Sequence, residues 1–534
     1  MKDQKQKTPW LRQDPHWAEG GLFVLLIGLL IFSIRTESFW IDESSTAWLA
    51  GLPDIRALWH GLQQFGSEAQ MPFYVLYAWG WAKIFGNGEL ALRCANIPWA
   101  LAGIAAGTVL LRRAGARRAG ATWLLLLPLL AFYMNEARPY VMTVAASACA
   151  LLACDVFLSR ISQPQRHLRA PAIALGSAVF LAVGTSLLNV FLIPALAVYA
   201  GASVLLPPAK RSTPVRRRIA DFTTALRRAW IPLVCGAAGV AVLLTFYAWT
   251  LATGHGGRRQ GYHLANAAFA AYEWLGFAGL GPPRNVLREI GPRHGFFLYW
   301  PTLLPGIGVW LAVLATTCSD GCRFIRNTIW RQAAWAAACG ILALGCAAVV
   351  MKTTLWGRHL LFAAPFVLVV LAGFTGSMAE KPLRPARRAV RLFLIAMLIL
   401  STVRLAALEQ YRKDPIREAV LALADLQTHT YPDTPQLWVG YPTAARLYGA
   451  SFIEDSDTGK AQPGSQSVFR PRLIAATAWE QETVERWTSV HGPYIVMLHR
   501  PDVTDPSGTW QAICRGRGTK VLWKKGNIRI YYVQ

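Results

Sequence analysis

Long apolar runs, separated by short polar segments, dominate roughly the first three quarters of the chain. A bilayer core requires about 20 apolar residues per helix. Runs of that kind predict about eleven membrane-spanning helices, at 17–35, 90–111, 119–135, 138–158, 171–188, 189–206, 229–252, 298–317, 332–350, 358–376 and 389–406. The pattern therefore predicts a polytopic α-helical membrane protein.

The pattern changes after the last apolar run. Residues 414–428 have the periodicity of a helix, and 436–440, 494–498 and 528–533 are rich in apolar, β-branched and aromatic residues, as strands are. We therefore divide the chain into a transmembrane domain, 1–404, and a soluble α/β domain, 405–534.

The apolar run 71–85 is only about 15 residues long, and the distribution of basic residues decides how it is placed. Cytoplasmic loops carry an excess of Lys and Arg. If 71–85 lies in the outer leaflet without crossing, every dense basic loop is cytoplasmic. This orientation predicts a cytoplasmic N-terminus, outer loops at 36–90 and 253–297, and a periplasmic C-terminal domain in a bacterial-type inner membrane.

Composition excludes some function classes. Only 16% of the residues are charged, and the net charge is +25. In a soluble protein such a charge would suggest nucleic-acid binding, but here the basic residues occupy short loops between apolar runs and no recognition motif accompanies them. The 22 Trp residues are typical of a protein that lines two membrane interfaces. We expect membrane lipids as partners, and no nucleic acid.

Two adjacent carboxylates, Asp42 and Glu43, follow the first predicted span and are flanked by Trp40 and Trp48. A carboxylate at a dry interface can accept a proton from a hydroxyl group, which makes the pair a candidate for catalysis. The alternative is that Asp42 caps a helix that continues through Leu49. The two carboxylates could also share a divalent metal ion, so metal dependence stays open.

Further charged and polar residues lie at predicted outer ends of spans. The basic ones could bind a phosphate, although arginine side chains at such positions also extend to the interface for solvation alone. Glu136 and Arg138 could form a local surface ion pair. The candidates for binding a donor phosphate or sugar are Arg93, Glu136, Arg138, Tyr140, Arg358 and His359.

At these residues the chain resembles the GT-C glycosyltransferases, in particular the branch of protein O-mannosyltransferases and aminoarabinose transferases. Asp42-Glu43 matches the acidic motif of that superfamily. The family blocks are similar to the stretch 71–93, to Ala137-Arg138-Pro139-Tyr140 and to Arg358-His359 with Pro365. Gln70-Met71-Pro72 stands where the family usually has His-Pro-Pro or Lys-Pro-Pro.

The resemblance implies an inverting glycosyltransferase. It would move a sugar from a polyprenyl-phosphate donor to a hydroxyl group of a lipid, glycan or protein acceptor, at the outer face of the membrane. In this family Asp42 would be the base, and Arg138, Arg93 and Arg358 would neutralise the departing phosphate. Glu43 and Glu136 would orient the acceptor or the sugar. No cofactor is implied with certainty.

Other functions stay open at this point. A transporter or a flippase for lipid-linked glycans is the main alternative, although such proteins usually show repeated halves and charged residues in mid-membrane. A ligase that transfers whole glycans from a diphosphate lipid is a second alternative. A scaffold that has lost its chemistry and binds through the C-terminal domain is a third.

Overall fold

A computed structural model describes residues 16–64, 66–161, 167–206, 214–253, 264–319, 323–375, 385–432, 434, 436–440, 442–450, 472–475, 493–500, 505, 508–516 and 518–534. The basic N-terminal stretch and parts of the basic loops predicted to be cytoplasmic lie outside the described residues.

The membrane domain consists of helices. In its first part the helices are α1 (His16–Phe32), α2 (Ile41–Ala50), α3 (Ile55–Gln64), α4 (Gly66–Ala69), α5 (Pro72–Phe85), α6 (Glu89–Cys94), α7 (Asn96–Arg113), α8 (Ala119–Trp123), α9 (Leu127–Met134) and α10 (Tyr140–Ile161). They are followed by α11 (Arg169–Thr185), α12 (Leu192–Leu205), α13 (Val215–Arg228), α14 (Trp230–Ala252), α15 (Leu264–Trp274), α16 (Arg284–Ser319), α17 (Thr328–Val350), α18 (Ala364–Phe374) and α19 (Pro385–Ala407).

Within the described residues, 8 helical segments are long and apolar enough to cross a membrane. Three shorter apolar segments, Trp17–Phe32, Ala119–Met134 and Arg169–Thr185, coincide with further predicted spans. The polytopic helical architecture is thus confirmed, because each predicted apolar run forms a helix. The count of about eleven crossings stays a prediction, since three of the segments are short for a bilayer.

Small side chains allow two helices to pack closely at the centre of the helical bundle. In the window of α10 most typical of a span, 72% of the residues are buried, more than in any other of the 8 segments described. Its neighbour α7 approaches so closely that a Cβ on Gly103 would lie 3.2 Å from the Cα of Ala145. Close backbone approach through Gly and Ala is the usual way in which membrane helices pack. This packing fixes the ends of the two helices near which the candidate residues lie.

The two predicted outer loops contain helices of their own. The run 71–85 forms α5, which buries Tyr74 and Val75 and leaves Ile84 and Phe85 exposed. The helix that contains the predicted span 298–317 is longer than that span. Helix α16 begins at Arg284, and its kink lies at Gly291, where φ is 78°. Glycine adopts this left-handed backbone without steric cost.

The C-terminal domain is a five-stranded sheet with helices on it, which confirms the predicted soluble α/β fold. Its strands are β1 (Gln436–Gly440), β2 (Arg472–Ala475), β3 (Tyr494–His499), β4 (Lys520–Lys525) and β5 (Ile528–Val533), in the order β2-β1-β3-β5-β4. Strand β1 is parallel to β2 and β3, and β5 is antiparallel to β3 and β4. The helices are α20 (Ile416–Asp425), α21 (Pro442–Leu447) and α22 (Thr509–Ile513).

Alternation along β3 fills two apolar layers. Ile495 and Met497 pack with α20 and α21 on one face, whereas Val496 and Leu498 pack with Trp510 on the other. The helix predicted at 414–428 begins two residues later than expected. Pro415 follows Asp414, and a residue before proline disfavours the helical conformation.

Candidate active site

The segment after α1 turns into the short helix α2, whose start decides what the two adjacent carboxylates do. The helix begins at Ile41, with Trp40 at the N-cap. Glu43 is the third helical residue and accepts a hydrogen bond from the Trp40 N–H at 3.2 Å. Glu43 therefore caps the helix, and the alternative in which Asp42 does so is wrong, because the helix begins one residue before Asp42.

Glu43 is completely buried and lies between two cations. Arg93 donates to both of its oxygens, from Nε to Oε1 at 3.1 Å and from Nη2 to Oε2 at 2.9 Å. The Ala137 N–H donates to Oε1 at 2.7 Å, and Lys413 Nζ donates to Oε2 at 2.9 Å. Burial alone would raise the pKa of Glu43, but Arg93 and Lys413 outweigh it and lower the pKa to about 2. Both oxygens are thus occupied in an ionised, fixed carboxylate.

Arg93 is equally occupied. Its Nη1 donates to the carbonyl oxygens of Arg35 and Glu37, each at 2.7 Å, and its Nη2 also donates to that of Ser38 at 3.2 Å. Together with the two bonds to Glu43, these contacts engage every N–H group of the guanidinium. Arg93 therefore ties the segment that follows α1 to α6, and its predicted phosphate contact would require this network to break.

Arg138 pairs with a carboxylate that the sequence did not point to. Its Nη1 donates to Glu68 Oε1 at 2.6 Å, to Thr46 Oγ1 at 3.1 Å and to the Asp42 carbonyl oxygen at 3.0 Å. Glu68 is fully buried and Arg138 is 7% exposed. The alternative of a surface pair between Glu136 and Arg138 is wrong, because Arg138 turns away towards Glu68. Its predicted phosphate role stays a prediction that this buried pair does not favour.

Removal of Arg138 is expected to harm folding first. Arg138→Met leaves Glu68 buried without its cation, which costs about 3–5 kcal/mol in typical cases. We expect thermal unfolding in detergent at a lower temperature, and partial recovery when Glu68→Gln is added. Wild-type thermal stability together with lost donor affinity would instead restore the phosphate role.

Asp42 and Arg358 form the partly open pair of the site. Arg358 Nη1 donates to Asp42 Oδ2 at 3.0 Å, and the two side chains are 21% and 31% exposed. The guanidinium carbon of Arg358 also lies 5.7 Å above the centre of the Trp40 ring. Within the described part of the chain, Asp42 Oδ1 makes no side-chain hydrogen bond. Asp42 thus differs from Glu43 in having a carboxylate oxygen available to a substrate.

The remaining predicted residues surround this pair unequally. Glu136 is buried, and among the described atoms its Oε2 has no hydrogen-bond partner. Burial raises the pKa of Glu136 to about 7, against the opposing charge of Lys413. Tyr140 lies within electrostatic reach of Asp42, Glu136 and Arg358. His359 instead turns its Nδ1 to the Trp356 N–H at 3.3 Å, so it supports the local turn.

A cavity of about 120 Å³ opens beside these residues, between the membrane domain and the C-terminal domain. Trp40 and Glu136 line it, and Arg358 lies over the Trp40 ring and within electrostatic reach of Glu136. Its charged lining residues are Arg35, Glu37, Glu136, Glu273, Arg284, Arg412, Lys413, Asp414 and Arg500, and its aromatic ones are Trp40, Phe132, Phe269, Tyr272 and Tyr411. Carboxylates, cations and aromatic rings in one cavity suit a sugar phosphate.

Arg284 and Glu273 belong to this cavity and were missed by sequence reasoning. Arg284 pairs with Glu273, and its guanidinium carbon lies 5.4 to 5.5 Å from the rings of Phe132, Phe269 and Trp356. One sequence signal was available. Arg284 directly follows Pro282-Pro283 in the predicted second outer loop.

The geometry does not bring Asp42 and Glu43 together on one metal ion. Asp42 turns to Arg358, whereas Glu43 turns to Arg93 and Lys413. In the part of the chain that the structure describes, no group of three or more His, Cys, Asp or Glu side chains is placed to hold a metal.

Comparison with known proteins finds likeness in structure alone. No family model matches the chain, and no curated protein matches it. The chain is similar to ArnT from Cupriavidus metallidurans in the apo state, with a TM-score of 0.49 and 14% identity over 96% of this chain and 98% of that one. The same protein bound to undecaprenyl phosphate gives a TM-score of 0.48 and 14% identity, over 97% and 98% of the two chains.

The oligosaccharyltransferase AglB from Archaeoglobus fulgidus, in complex with an inhibitory peptide and a dolichol-phosphate, is also similar. Its TM-score is 0.44 and its identity 12%, over 81% of this chain and 63% of that one. The likeness identifies no substrate and no catalytic residue.

Proposed function

We propose that this multi-pass membrane protein is a glycosyltransferase that moves a sugar from a polyprenyl-phosphate donor to an acceptor hydroxyl. One observation carries the proposal: the partly open Asp42–Arg358 pair lies beside a cavity that holds further cations, carboxylates and aromatic rings. A base and a cation in adjoining positions are what transfer from a phosphate to a hydroxyl requires. The acceptor is a lipid, a glycan or a protein.

Asp42 and Arg358 have separate roles in the proposed reaction. Asp42 takes the proton of the acceptor hydroxyl while the acceptor oxygen forms a bond to the anomeric carbon of the sugar. The bond between that carbon and the phosphate oxygen breaks, and its electron pair leaves with the phosphate. Attack from the side opposite the phosphate inverts the anomeric centre. Arg358 neutralises the negative charge that develops on the phosphate.

Arg358 has two successive partners in this scheme. In the structure it donates a hydrogen bond to Asp42 Oδ2 at 3.0 Å. A donor phosphate that enters the cavity competes for the same guanidinium. When Arg358 turns to the phosphate, both oxygens of Asp42 become available to the acceptor hydroxyl. Donor binding would thereby release Asp42 for the acceptor.

Arg284 is the second cation that we assign to the donor. It lines the cavity next to Glu136, and its side chain is 22% exposed despite the aromatic rings around it. Arg284 is itself paired with Glu273, but Arg93 and Arg138 are more deeply buried against Glu43 and Glu68, with side chains only 0% and 8% exposed. We therefore propose Arg358 and Arg284 for the phosphate, and a positioning role for Arg93 and Arg138.

The placement of the charges favours an enzyme over a transporter. The charged side chains of the site lie at helix ends and in the segments between helices, as in an interfacial active site. Charged residues on a transport path instead lie near mid-membrane. We place this end of the helices at the periplasmic face of a bacterial-type inner membrane, with the N-terminus in the cytoplasm, because of the distribution of the basic loops.

Transfer by the purified protein in liposomes tests the proposal. Polyprenyl-phosphate hexoses and pentoses are supplied as donors, and mass spectrometry of surface glycans and lipid A from a strain that lacks the protein identifies the acceptor. We expect a covalent sugar on the acceptor and free polyprenyl phosphate in equal amounts. Movement of the lipid-linked sugar across the bilayer without any covalent product would show a flippase instead.

A further inference from the structure

The C-terminal domain is fastened to the first outer loop of the membrane domain. Arg417 donates to Glu89 Oε1 at 2.8 Å, and Tyr448 accepts a hydrogen bond from the Phe39 N–H at 2.8 Å. Ser38 donates to Glu418 Oε2 at 2.7 Å. These contacts surround the segment that leads into α2, so the position of the C-terminal domain and that of the candidate site depend on each other.

Lys413 is the residue of this junction that reaches the site itself. Its backbone N–H donates to Glu37 Oε2 at 3.2 Å, and its ammonium donates to Glu43 Oε2 at 2.9 Å and to the Asn135 carbonyl oxygen. Only 11% of its side chain is exposed. A buried ammonium with several acceptors is held in one geometry.

The next residue anchors Lys413 to the sheet. Asp414 Oδ2 lies 3.2 Å from His499 Nε2 at the end of β3, and Asp414 Oδ1 accepts a hydrogen bond from Asn527 at 3.2 Å. His499 is completely buried. The position of the ammonium is therefore set by the fold of the C-terminal domain and not by a free linker.

We propose that Lys413 is a positioning residue of the transferase site, through which the docked C-terminal domain completes a buried chain of charges from Glu43 to Glu136. The inference rests on the proposed function for its kinetic consequence. It assigns to the C-terminal domain a part in catalysis, because without Lys413 the carboxylate of Glu136 faces the cavity with less positive charge behind it.

The surroundings of Glu136 show why one ammonium matters there. The titratable and charged groups that face it from the elements packed around it are Lys413, Glu43, Arg284, Arg358, Tyr133 and Tyr140. Lys413 opposes the burial that raises the pKa of Glu136 to about 7. Loss of the ammonium disfavours the carboxylate, so the pKa of Glu136 must rise further. Sugar hydroxyls donate to the ionised form, so transfer should fail as pH falls through this pKa.

The test compares Lys413→Met with the wild-type protein over a range of pH. We expect the acidic limb of kcat for sugar transfer near pH 7 in the wild type, and at least about one unit higher in Lys413→Met, since a nearby opposite charge shifts a pKa by about 1–3 units. Lys413→Arg should return the limb towards its wild-type position, and Glu136→Gln should remove it. An unmoved limb in Lys413→Met overturns the inference.

Arg417→Met is the matched control. It breaks the bond to Glu89 at the same junction but removes no contact with Glu43 or Glu136, so the limb should stay in place. An equal shift in Arg417→Met would show that loosening the domain, and not the Lys413 charge, is responsible. That result too would overturn the inference.

An infrared pH titration separates the inference from the proposed function. It follows the carbonyl stretch of protonated Glu136, assigned by its disappearance in Glu136→Gln, and needs no substrate. The band should persist to higher pH in Lys413→Met, or in Lys413→Gln if the first variant does not fold. A shifted band with no transfer by the wild-type protein would refute the glycosyltransferase and leave the coupling intact. An unshifted band would refute the coupling.

Discussion

Asp42→Asn is expected to reduce sugar transfer by about 100- to 10,000-fold, the usual contribution of a positioned general base. The amide keeps the size of the side chain and can still accept a hydrogen bond from Arg358, but it cannot take a proton from the acceptor. The measurement is the rate of transfer from a polyprenyl-phosphate donor in liposomes, with thermal unfolding measured in parallel.

Asp42→Asn is expected to leave the fold intact. Because Glu43 caps α2, Asp42→Asn leaves the helix start intact, and stability should remain within about 0.5 kcal/mol of wild type, as for substitutions outside the core. If Asp42→Asn retains more than about a tenth of the wild-type rate, the loss is smaller than a general base usually contributes. Asp42 would then be excluded as the base. Glu136 would then be the next candidate, since both oxygens of Glu43 are occupied.

Arg358→Met is expected to reduce kcat by about 100- to 1,000-fold, the range found when one group that stabilises developing negative charge is removed. The side chain loses its cation while keeping part of its packing against Trp40. The loss should fall on kcat more than on KM, because the phosphate gains charge in the transition state. Steady-state kinetics with a fixed acceptor and varied donor measure both.

Lys83→Met serves as the control for a change in surface charge. Lys83 lies at the end of α5 and donates to the Leu52 carbonyl oxygen, away from the cavity. We expect its kcat within about twofold of wild type, as for a charge that touches no substrate. Equal kinetics of Arg358→Met and wild type would refute the phosphate role. A stability loss with unchanged kcat per folded molecule would make Arg358 a structural partner of Asp42.

The membrane architecture could be predicted because lipid leaves the chain few choices. Every backbone N–H and C=O group in the bilayer must be paired within the segment, so a long apolar run has to be a helix. Helix α10, for example, covers the predicted span 138–158 to within three residues at either end. In the sheet, β3 was predicted from its apolar, β-branched content, whereas β4 was missed. Its exposed Lys520, Lys524 and Lys525 give it the polar character of an edge strand.

The sequence predicted several residues of the candidate site, but not which of their side chains form ion pairs. Asp42 and Arg358 were both named from the sequence, yet their contact spans 316 positions along the chain. No sequence pattern indicates that Arg138 pairs with Glu68 and not with Glu136. Glu68 was overlooked because a single acid in a polar segment carries no local pattern.

The sequence by itself determined which segments form apolar helices and where the basic loops and the candidate polar residues lie relative to them, because hydropathy and charge act locally on each segment. Only the tertiary structure decided the electrostatics of those residues. Coulomb interactions act over a few ångströms and depend on burial. Packing of α2 against Arg93 and Lys413 therefore fixes Glu43 as an ion, whereas the neighbouring Asp42 pairs with Arg358 and stays partly exposed.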